Sequence, residues 1–132
     1  HNFQPPKKTN TIVLKQKCNA TDFLVEYAKH LQDFGFAIEK IDKDLLNFST
    51  EFKSYKASGV GVIKILAFAR QKGEECTLVI RGNIELSNPY GGQVPMEACN
   101  CGMIGDNRKK GFNEILNTLT NFNYDSIEFE TK

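Results

Sequence analysis

The residues best suited to chemistry lie in the stretch 87–106 (SNPYGGQVPMEACNCGMIGD). The stretch has no hydrophobic periodicity, and loops of this length inside a compact domain are uncommon and often functional. Its two cysteines stand one residue apart, and thiols this close can cycle between a dithiol and a disulfide. The alternative is a structural loop that folds over a sheet edge and is pinned by a disulfide. If function depends on a local site, we expect the site to consist of Tyr90, Gly91, Gly92, Met96, Cys99 and Cys101.

The spacing of Cys99 and Cys101 gives little support to catalysis. The redox signature with a physical rationale is Cys-x-x-Cys at a helix start, where the helix dipole lowers the thiol pKa. Here Cys101 precedes the expected helix cap, Asp106, by five residues. A nucleophilic pair would need His30 beside one of these thiols, and nothing in the sequence indicates that. A small cysteine-dependent enzyme or redox protein therefore stands as the alternative to a non-catalytic binding domain.

Metal and phosphate sites are poorly supported. A zinc site needs four suitably spaced ligands, and besides the loop cysteines the chain offers two distant cysteines, His1 and His30. We therefore predict no metal and no cofactor. The stretch 102–105 (GMIG), followed by Asp106 and three basic residues, hints at an anion site at a helix start. Asp106 would repel anions and the phosphate-loop pattern is absent, so basic residues on a solvated helix face are the favoured interpretation.

The elements that must position this loop follow from hydrophobic periodicity. Strands are predicted over 11–16, 36–41, 45–55, 60–70 and 75–86, and helices over 20–34 and 107–122. Asn19 is the expected cap of the first helix and Gly35 its end. Gly82 falls on the inner face of its strand and indicates a bulge or a closely approaching helix. The pattern predicts an α+β fold of order β-α-β-β-β-β-α, with an antiparallel-dominated sheet of about five strands and both helices on one face. The stretch 126–130 could add a C-terminal edge strand.

Length and composition favour a single globular domain. The chain has 132 residues, of which 40% are hydrophobic and 25% charged. We expect one α+β domain over 11–132. Residues 1–10 (HNFQPPKKTN) combine two prolines and two lysines without periodicity, and we expect them to form a flexible, solvated leader.

Charge and hydropathy argue against two partner classes. Lys and Arg number 17 against 16 acidic residues, so the basic excess of a nucleic-acid-binding protein is missing. The longest apolar run, 60–69, is interrupted by Lys64 and is far shorter than the ~20 residues of a membrane span. The first residue is His1 rather than Met, as in a processed or trimmed chain. This fits a secreted or lipid-anchored protein and equally a sequence shortened in the laboratory.

Four cysteines allow two disulfides with three connectivities, and free buried thiols are also compatible with the sequence. Following the chain direction through the predicted strands places Cys18 and Cys76 at the same end of the sheet. They could form a disulfide if the first and fifth strands are neighbours. Cys99 or Cys101 could compete for either partner, because the long loop has the reach.

The stretch 31–50 (LQDFGFAIEKIDKDLLNFST) resembles an element of small exported domains of Gram-negative bacteria. It is similar to the helix-grip repeats of lipoprotein component C of the outer-membrane barrel-assembly machine, and to small secreted domains with a TATA-binding-protein-like fold. The matching positions are Leu31, Gly35, Ile38, Asp42 and Thr50. The resemblance implies an exported scaffold or accessory module without catalytic residues.

Our sequence-based interpretation is therefore a non-catalytic accessory or binding domain of an exported bacterial protein, in the periplasm or at the cell envelope. Its partner is a protein or a small molecule of unknown identity. We expect neither nucleic acid binding nor membrane insertion, although a lipid anchor could lie upstream of the chain.

Overall fold

The computed structural model describes residues 3–57, 59–87 and 90–132, and this part of the chain forms two helices and eight strands. The strands are β1 (Thr11–Lys17), β2 (Ile38–Asp42), β3 (Asn47–Thr50), β4 (Lys53–Ala57), β5 (Gly59–Lys72), β6 (Glu75–Ser87), β7 (Gln93–Glu97) and β8 (Ser126–Glu130). The helices are α1 (Ala20–Asp33) and α2 (Asn107–Asn117). The described strands pair antiparallel in an open sheet, which confirms the predicted α+β class.

The sheet is built around the long hairpin of β5 and β6. These strands pair continuously from Gly61 opposite Leu86 to Lys72 opposite Glu75. Gly73 in the turn has a φ of 61°, in the left-handed region that glycine adopts without a side-chain clash. Across the sheet the order is β2-β3-β5-β6-β1-β8, with β4 also beside β5 and β7 also beside β6. The hairpin is thus flanked by two shorter strands along each of its sides.

The expectation of about five strands is wrong. The strand predicted over 45–55 breaks after Thr50, whose Oγ1 accepts the Ile65 N–H at 2.9 Å, and the chain pairs again with β5 as β4. A further strand, β7, forms inside the predicted loop and pairs with β6. The C-terminal edge strand is present as β8, which pairs with β1 from Thr11 opposite Glu130 to Lys15 opposite Ser126.

Both helices begin where their capping residues predict. The side-chain oxygen of Asn19 accepts the N–H groups of Thr21 at 2.9 Å and Asp22 at 3.2 Å, so two unpaired donors at the start of α1 are satisfied. Asp106 accepts the Arg108 N–H at 2.8 Å at the start of α2. Gly35, with a φ of 88°, ends α1 in the left-handed conformation. None of the helices in the described part of the chain is both long and apolar enough to cross a bilayer.

Both helices cover the same face of the sheet, because alternate residues of the strands and one stripe of each helix are apolar. The buried cluster includes Ile12, Leu14, Phe23, Leu24, Tyr27, Leu31, Ile63, Ile65, Leu78, Ile80, Ile84, Phe112 and Ile115. Tyr27 is fully buried, and its hydroxyl is 2.8 Å from Thr118 Oγ1. Burial raises the pKa of the Tyr27 phenol, because the charged form would have to leave water.

Two glycines let α2 lie close to β6. A Cβ at Gly82 would overlap Ile115 Cδ1 and lie 3.4 Å from the Cβ of Ala98. A Cβ at Gly111 would lie 2.8 Å from Ile84 Cγ2, which is closer than real contacts of this kind. Of the two alternatives at Gly82, a bulge or a closely approaching helix, the structure shows the helix, and β5 and β6 pair there without a shift of register. The close packing of α2 on β6 brings the start of α2 next to the residues that follow β7.

A disulfide joins Cys18 to Cys76, with the two Cα atoms 5.9 Å apart. The expected condition is met, because β1 and β6 are neighbours and Gln16 lies opposite Cys76. Gln71 reinforces the junction: its side-chain oxygen accepts the Ala20 N–H at 2.7 Å, and its side-chain nitrogen donates to the Cys18 carbonyl at 3.1 Å. The end of β1, the start of α1 and the β5–β6 turn are therefore fastened together.

Candidate binding cleft beside the Cys99–Cys101 disulfide

The segment that follows β7 is tied to three different elements. The N–H of Ala98 donates to the Gly82 carbonyl of β6 at 2.9 Å, and the N–H of Cys99 donates to the Arg108 carbonyl of α2 at 3.2 Å. The next N–H, that of Asn100, donates to the Thr9 carbonyl at 2.7 Å. Ala98 and Cys99 are buried. This part of the predicted loop is therefore a fixed junction.

Cys99 and Cys101 form the second disulfide, with Cα atoms 5.2 Å apart. Disulfides persist in oxidising compartments, so the two bridges are compatible with an extracellular or exported protein. The four cysteines are thus paired in the described chain, and none is a free thiol.

Asn100, inside the small disulfide ring, holds the N-terminal segment with four hydrogen bonds. Its backbone accepts the Lys8 N–H at 2.9 Å and donates to the Thr9 carbonyl. Its side-chain nitrogen donates to the carbonyls of Pro5 at 2.8 Å and Pro6 at 3.1 Å. An asparagine in a ring has few conformations to lose, so it makes a well-oriented anchor for a proline-rich turn.

The other side of the N-terminal segment rests on β8. Phe3 lies edge-on against Phe129, with ring centroids 6.3 Å apart, and Asn10 donates its backbone N–H to Glu130 at 3.1 Å. Thr131 Oγ1 donates to the Lys8 carbonyl at 3.1 Å. Residues 3–10, for which composition predicts a solvated leader, thus make contacts along both sides. His1 and Asn2 of that leader lie outside the described residues.

A cleft of about 820 Å³ opens between the N-terminal segment, the disulfide ring and the start of α2. Its walls include Lys7, Lys8, Met96, Cys101 and Arg108. Clefts of several hundred cubic ångströms that combine an apolar wall with a few polar groups are typical of ligand sites. The size therefore suits a small molecule or a short extended peptide.

One cation of the cleft is neutralised within the chain. The Arg108 guanidinium donates to both carboxylate oxygens of Asp106, at 3.1 Å and 3.0 Å. The hydrogen bond from Arg108 holds the pKa of the Asp106 carboxyl below its usual range, and the same contact raises the pKa of Arg108. This pair fixes the start of α2 and contributes no net charge to the cleft.

The remaining charge of the cleft is positive. Glu97, on its wall, forms an ion pair with Arg81 of β6. Lys7 and Lys8 are exposed, and neither ammonium group forms an ion pair within the residues that the structure describes. Two lysine ammonium groups with no carboxylate beside them attract anions. The cleft therefore favours a negatively charged ligand.

The predicted site residues divide into two groups. Met96, Cys99 and Cys101 all line the cleft. Tyr90, with 94% of its surface exposed, lies in the turn between β6 and β7 together with Gly91 and Gly92. These three residues are not part of the cleft wall. Asn88 and Pro89 of the predicted loop lie outside the described residues.

Lys7, Lys8 and Asn100 were missing from the predicted site. The two lysines stand in a segment whose composition predicts a solvated leader, and only a contact across more than ninety residues brings them to the cleft. Asn100 carried a usable signal, since it is the single residue enclosed by two nearby cysteines.

The structure does not bring His30 to the cysteine loop. Its Nε2 lies 3.0 Å from the Thr120 carbonyl, and its ring packs against Phe34 and Phe122. These contacts place it in a separate groove of about 350 Å³ beside α1. Within residues 3–57, 59–87 and 90–132, no three His, Cys, Asp or Glu side chains are grouped in a way that could hold a metal.

No protein-family model matches the chain, and no curated protein is significantly similar to it in sequence.

Proposed function

We propose that the chain is a non-catalytic accessory or binding domain of an exported bacterial protein, acting in the periplasm or at the cell envelope. We further propose that the cleft beside the Cys99–Cys101 disulfide binds a negatively charged partner. One observation carries this proposal. The four hydrogen bonds of Asn100 fix the turn that bears Lys7 and Lys8, and so hold two cations at the rim of the cleft.

Pre-organisation supports binding as the role of this cleft. A ligand that meets a backbone turn already fixed in place does not have to order a flexible segment, and less of the interaction energy is spent on that ordering. An anionic group would contact Lys7 and Lys8, and an apolar part of the same ligand would lie against Met96 and the disulfide. The two disulfides support the exported location.

The test compares capture of envelope components by three baits: the oxidised wild-type domain, the variant Lys7→Gln/Lys8→Gln, and the control Lys29→Gln/Lys43→Gln. The control residues are exposed lysines outside the cleft, so both variants lose the same charge. We expect the first variant to lose the captured partner and the control to retain it, since a hydrogen bond to a charged group contributes about 1.5–3 kcal/mol, which is about tenfold or more in affinity. Equal capture by all three baits would show that the cleft is not the binding site.

The second candidate is thiol–disulfide chemistry at Cys99 and Cys101, the alternative that sequence leaves open. It is favoured by the position of both residues in the wall of an open cleft, where another thiol could approach. Because these cysteines form a disulfide, the native protein is first incubated briefly with a limiting amount of a dithiol and then labelled with an electrophilic thiol probe at neutral pH. Rapid labelling of a cysteine of this loop supports the enzyme, whereas absent or uniformly slow labelling supports the binding domain.

A further inference from the structure

A pair of large apolar side chains projects from the rim of the cleft. Met103 is 85% exposed and Ile104 is 99% exposed. They occupy the centre of the segment 102–105, which we name the tip. Single exposed apolar residues are ordinary, but two adjacent side chains that touch almost nothing of their own protein indicate a contact with something else.

The backbone of the tip forms a closed turn. Gly102 and Gly105, on either side of the pair, have φ values of 79° and 94° that residues with a side chain rarely adopt. The Asp106 N–H donates to the Met103 carbonyl at 3.0 Å and closes the turn. The disulfide precedes the tip and α2 follows it, so the two apolar side chains are presented from a fixed base.

Cations surround the base of the tip. The Lys109 ammonium lies 3.5 Å from the Gly102 carbonyl, and Lys7 and Lys8 share the cleft with Gly102. The nearby carboxylate of Asp106 is already bound by Arg108. The surface therefore combines two exposed apolar side chains with unneutralised positive charge on Lys109 and on the adjoining cleft wall.

We propose that the tip docks on an anionic lipid bilayer, with Met103 and Ile104 inserted at the boundary between headgroups and acyl chains. Lys7, Lys8 and Lys109 would then lie at the level of the lipid phosphates. Membrane surfaces bind apolar side chains and cations presented together in this way.

A bilayer fits this surface better than a folded protein does. A stable protein interface buries about 800 Å² on each partner, with anchors set in complementary pockets. Two side chains on a projecting turn supply only a small part of such an area. A bilayer needs no matching pocket, because its acyl chains yield around whatever is inserted. The inference goes beyond the proposed function, since the apolar side chains that carry it, Met103 and Ile104, lie outside the cleft wall, although Lys7 and Lys8 belong to both surfaces.

The experiment measures flotation of the full oxidised chain with vesicles of phosphatidylcholine alone or with phosphatidylglycerol added. We expect binding to the anionic vesicles, and weaker binding to the neutral ones by about fivefold for each lysine engaged. Raising the salt concentration should release the protein, because the lysine contribution is screened.

Three variants test the assignment. Met103→Ser/Ile104→Ser should weaken binding to anionic vesicles by at least about tenfold, because two apolar side chains no longer leave water. Lys109→Gln should weaken it about fivefold. The control Leu45→Ser changes another apolar residue, 74% exposed in the turn between β2 and β3, and should bind like the wild type. The substituted side chains are exposed, so matching thermal unfolding curves are expected and verify that the variants fold.

Glycerol 3-phosphate, titrated in the same buffer, separates this proposal from that of the cleft. Binding of the soluble anion without binding to vesicles would support an anionic cleft ligand and overturn the bilayer proposal. Equal flotation of wild type and the Met103→Ser/Ile104→Ser variant would overturn it as well. Vesicle binding that requires the tip but persists in Lys7→Gln/Lys8→Gln would support docking and contradict the part assigned to those lysines.

Discussion

The two disulfides close loops of very different length, and this difference yields a quantitative prediction. Cys18 and Cys76 are 58 residues apart in sequence, whereas Cys99 and Cys101 are 2 apart. In the chain-entropy relation, a bridge of the first length contributes about 4 kcal/mol to the free energy of unfolding, and one of the second about 1.5 kcal/mol. The longer bridge should therefore contribute more by about 2.5 kcal/mol.

Two double variants measure this difference, Cys18→Ala/Cys76→Ala and Cys99→Ala/Cys101→Ala. Each removes both thiols of one bridge, so no odd cysteine remains to form a wrong pair. Each also removes one buried sulfur, because Cys76 is 0% exposed and Cys99 is 7% exposed. The packing losses are then similar in the two variants, and the difference between them reports mainly the length of the loop.

Urea unfolding followed by circular dichroism is the suitable assay, because the chain contains no tryptophan. With a slope of about 1.5 kcal/mol per molar urea, the midpoint of Cys18→Ala/Cys76→Ala should lie about 1.7 M below that of the other variant. Non-reducing peptide mapping verifies that the remaining bridge is unchanged. Equal midpoints, or the reverse order, would refute the reasoning from loop length.

Three further predictions concern buried groups. Gly82→Ala should lower the free energy of unfolding by about 1–3 kcal/mol, because its Cβ overlaps Ile115 Cδ1. Adding Ile115→Val, which removes that atom, should recover part of the loss in a urea double-mutant cycle, and strictly additive effects would contradict the contact. Burial raises the pKa of Tyr27 in the folded protein, so as the pH rises the unfolded chain loses this proton at a lower pH than the folded protein does. The free energy of unfolding should therefore fall as the pH rises above about 10. Tyr27→Phe should reduce that loss in alkaline unfolding curves, and an unchanged curve would assign the loss to other groups. Thr50→Val should cost about 1–3 kcal/mol in thermal unfolding, because the buried Ile65 N–H loses its acceptor, and a negligible cost would mean that another acceptor replaces it.

The sequence predicted the elements whose own residues repeat at a clear period. α1 has an apolar residue every three or four positions and a capping residue at its start, and β6 alternates over most of its length. Such patterns are local, and burial of one face requires them. The Cys18–Cys76 bridge could also be anticipated, because it follows from the direction of successive strands.

The parts that sequence did not predict depend on backbone contacts between distant segments. β7 contains Pro95 and has no alternation, and it is held to β6 through pairing of main-chain groups. The break at Thr50 depends on a single hydrogen bond to Ile65. The cleft likewise depends on the contact between Asn100 and the N-terminal turn, and no sequence pattern in either segment predicts this contact. The composition of residues 1–10 predicts that Lys7 and Lys8 are solvated, but it does not predict that they line this cleft.

The pairing of β1 with β8 determines how this chain would respond to tension. Thr11 lies opposite Glu130, so a force between the two ends of the chain would peel these strands apart one residue pair at a time. Breaking the β1–β8 hydrogen bonds one after another needs less force than breaking all of them at the same time by shear. The extension would then stop short of the full chain length, because the residues between Cys18 and Cys76 cannot be extended while their disulfide is intact. This loop has a span of 58 residues, or roughly 200 Å of extended chain. The protein would yield readily at its terminal strands, while the chain from α1 to the end of β5 stayed inside a covalent loop.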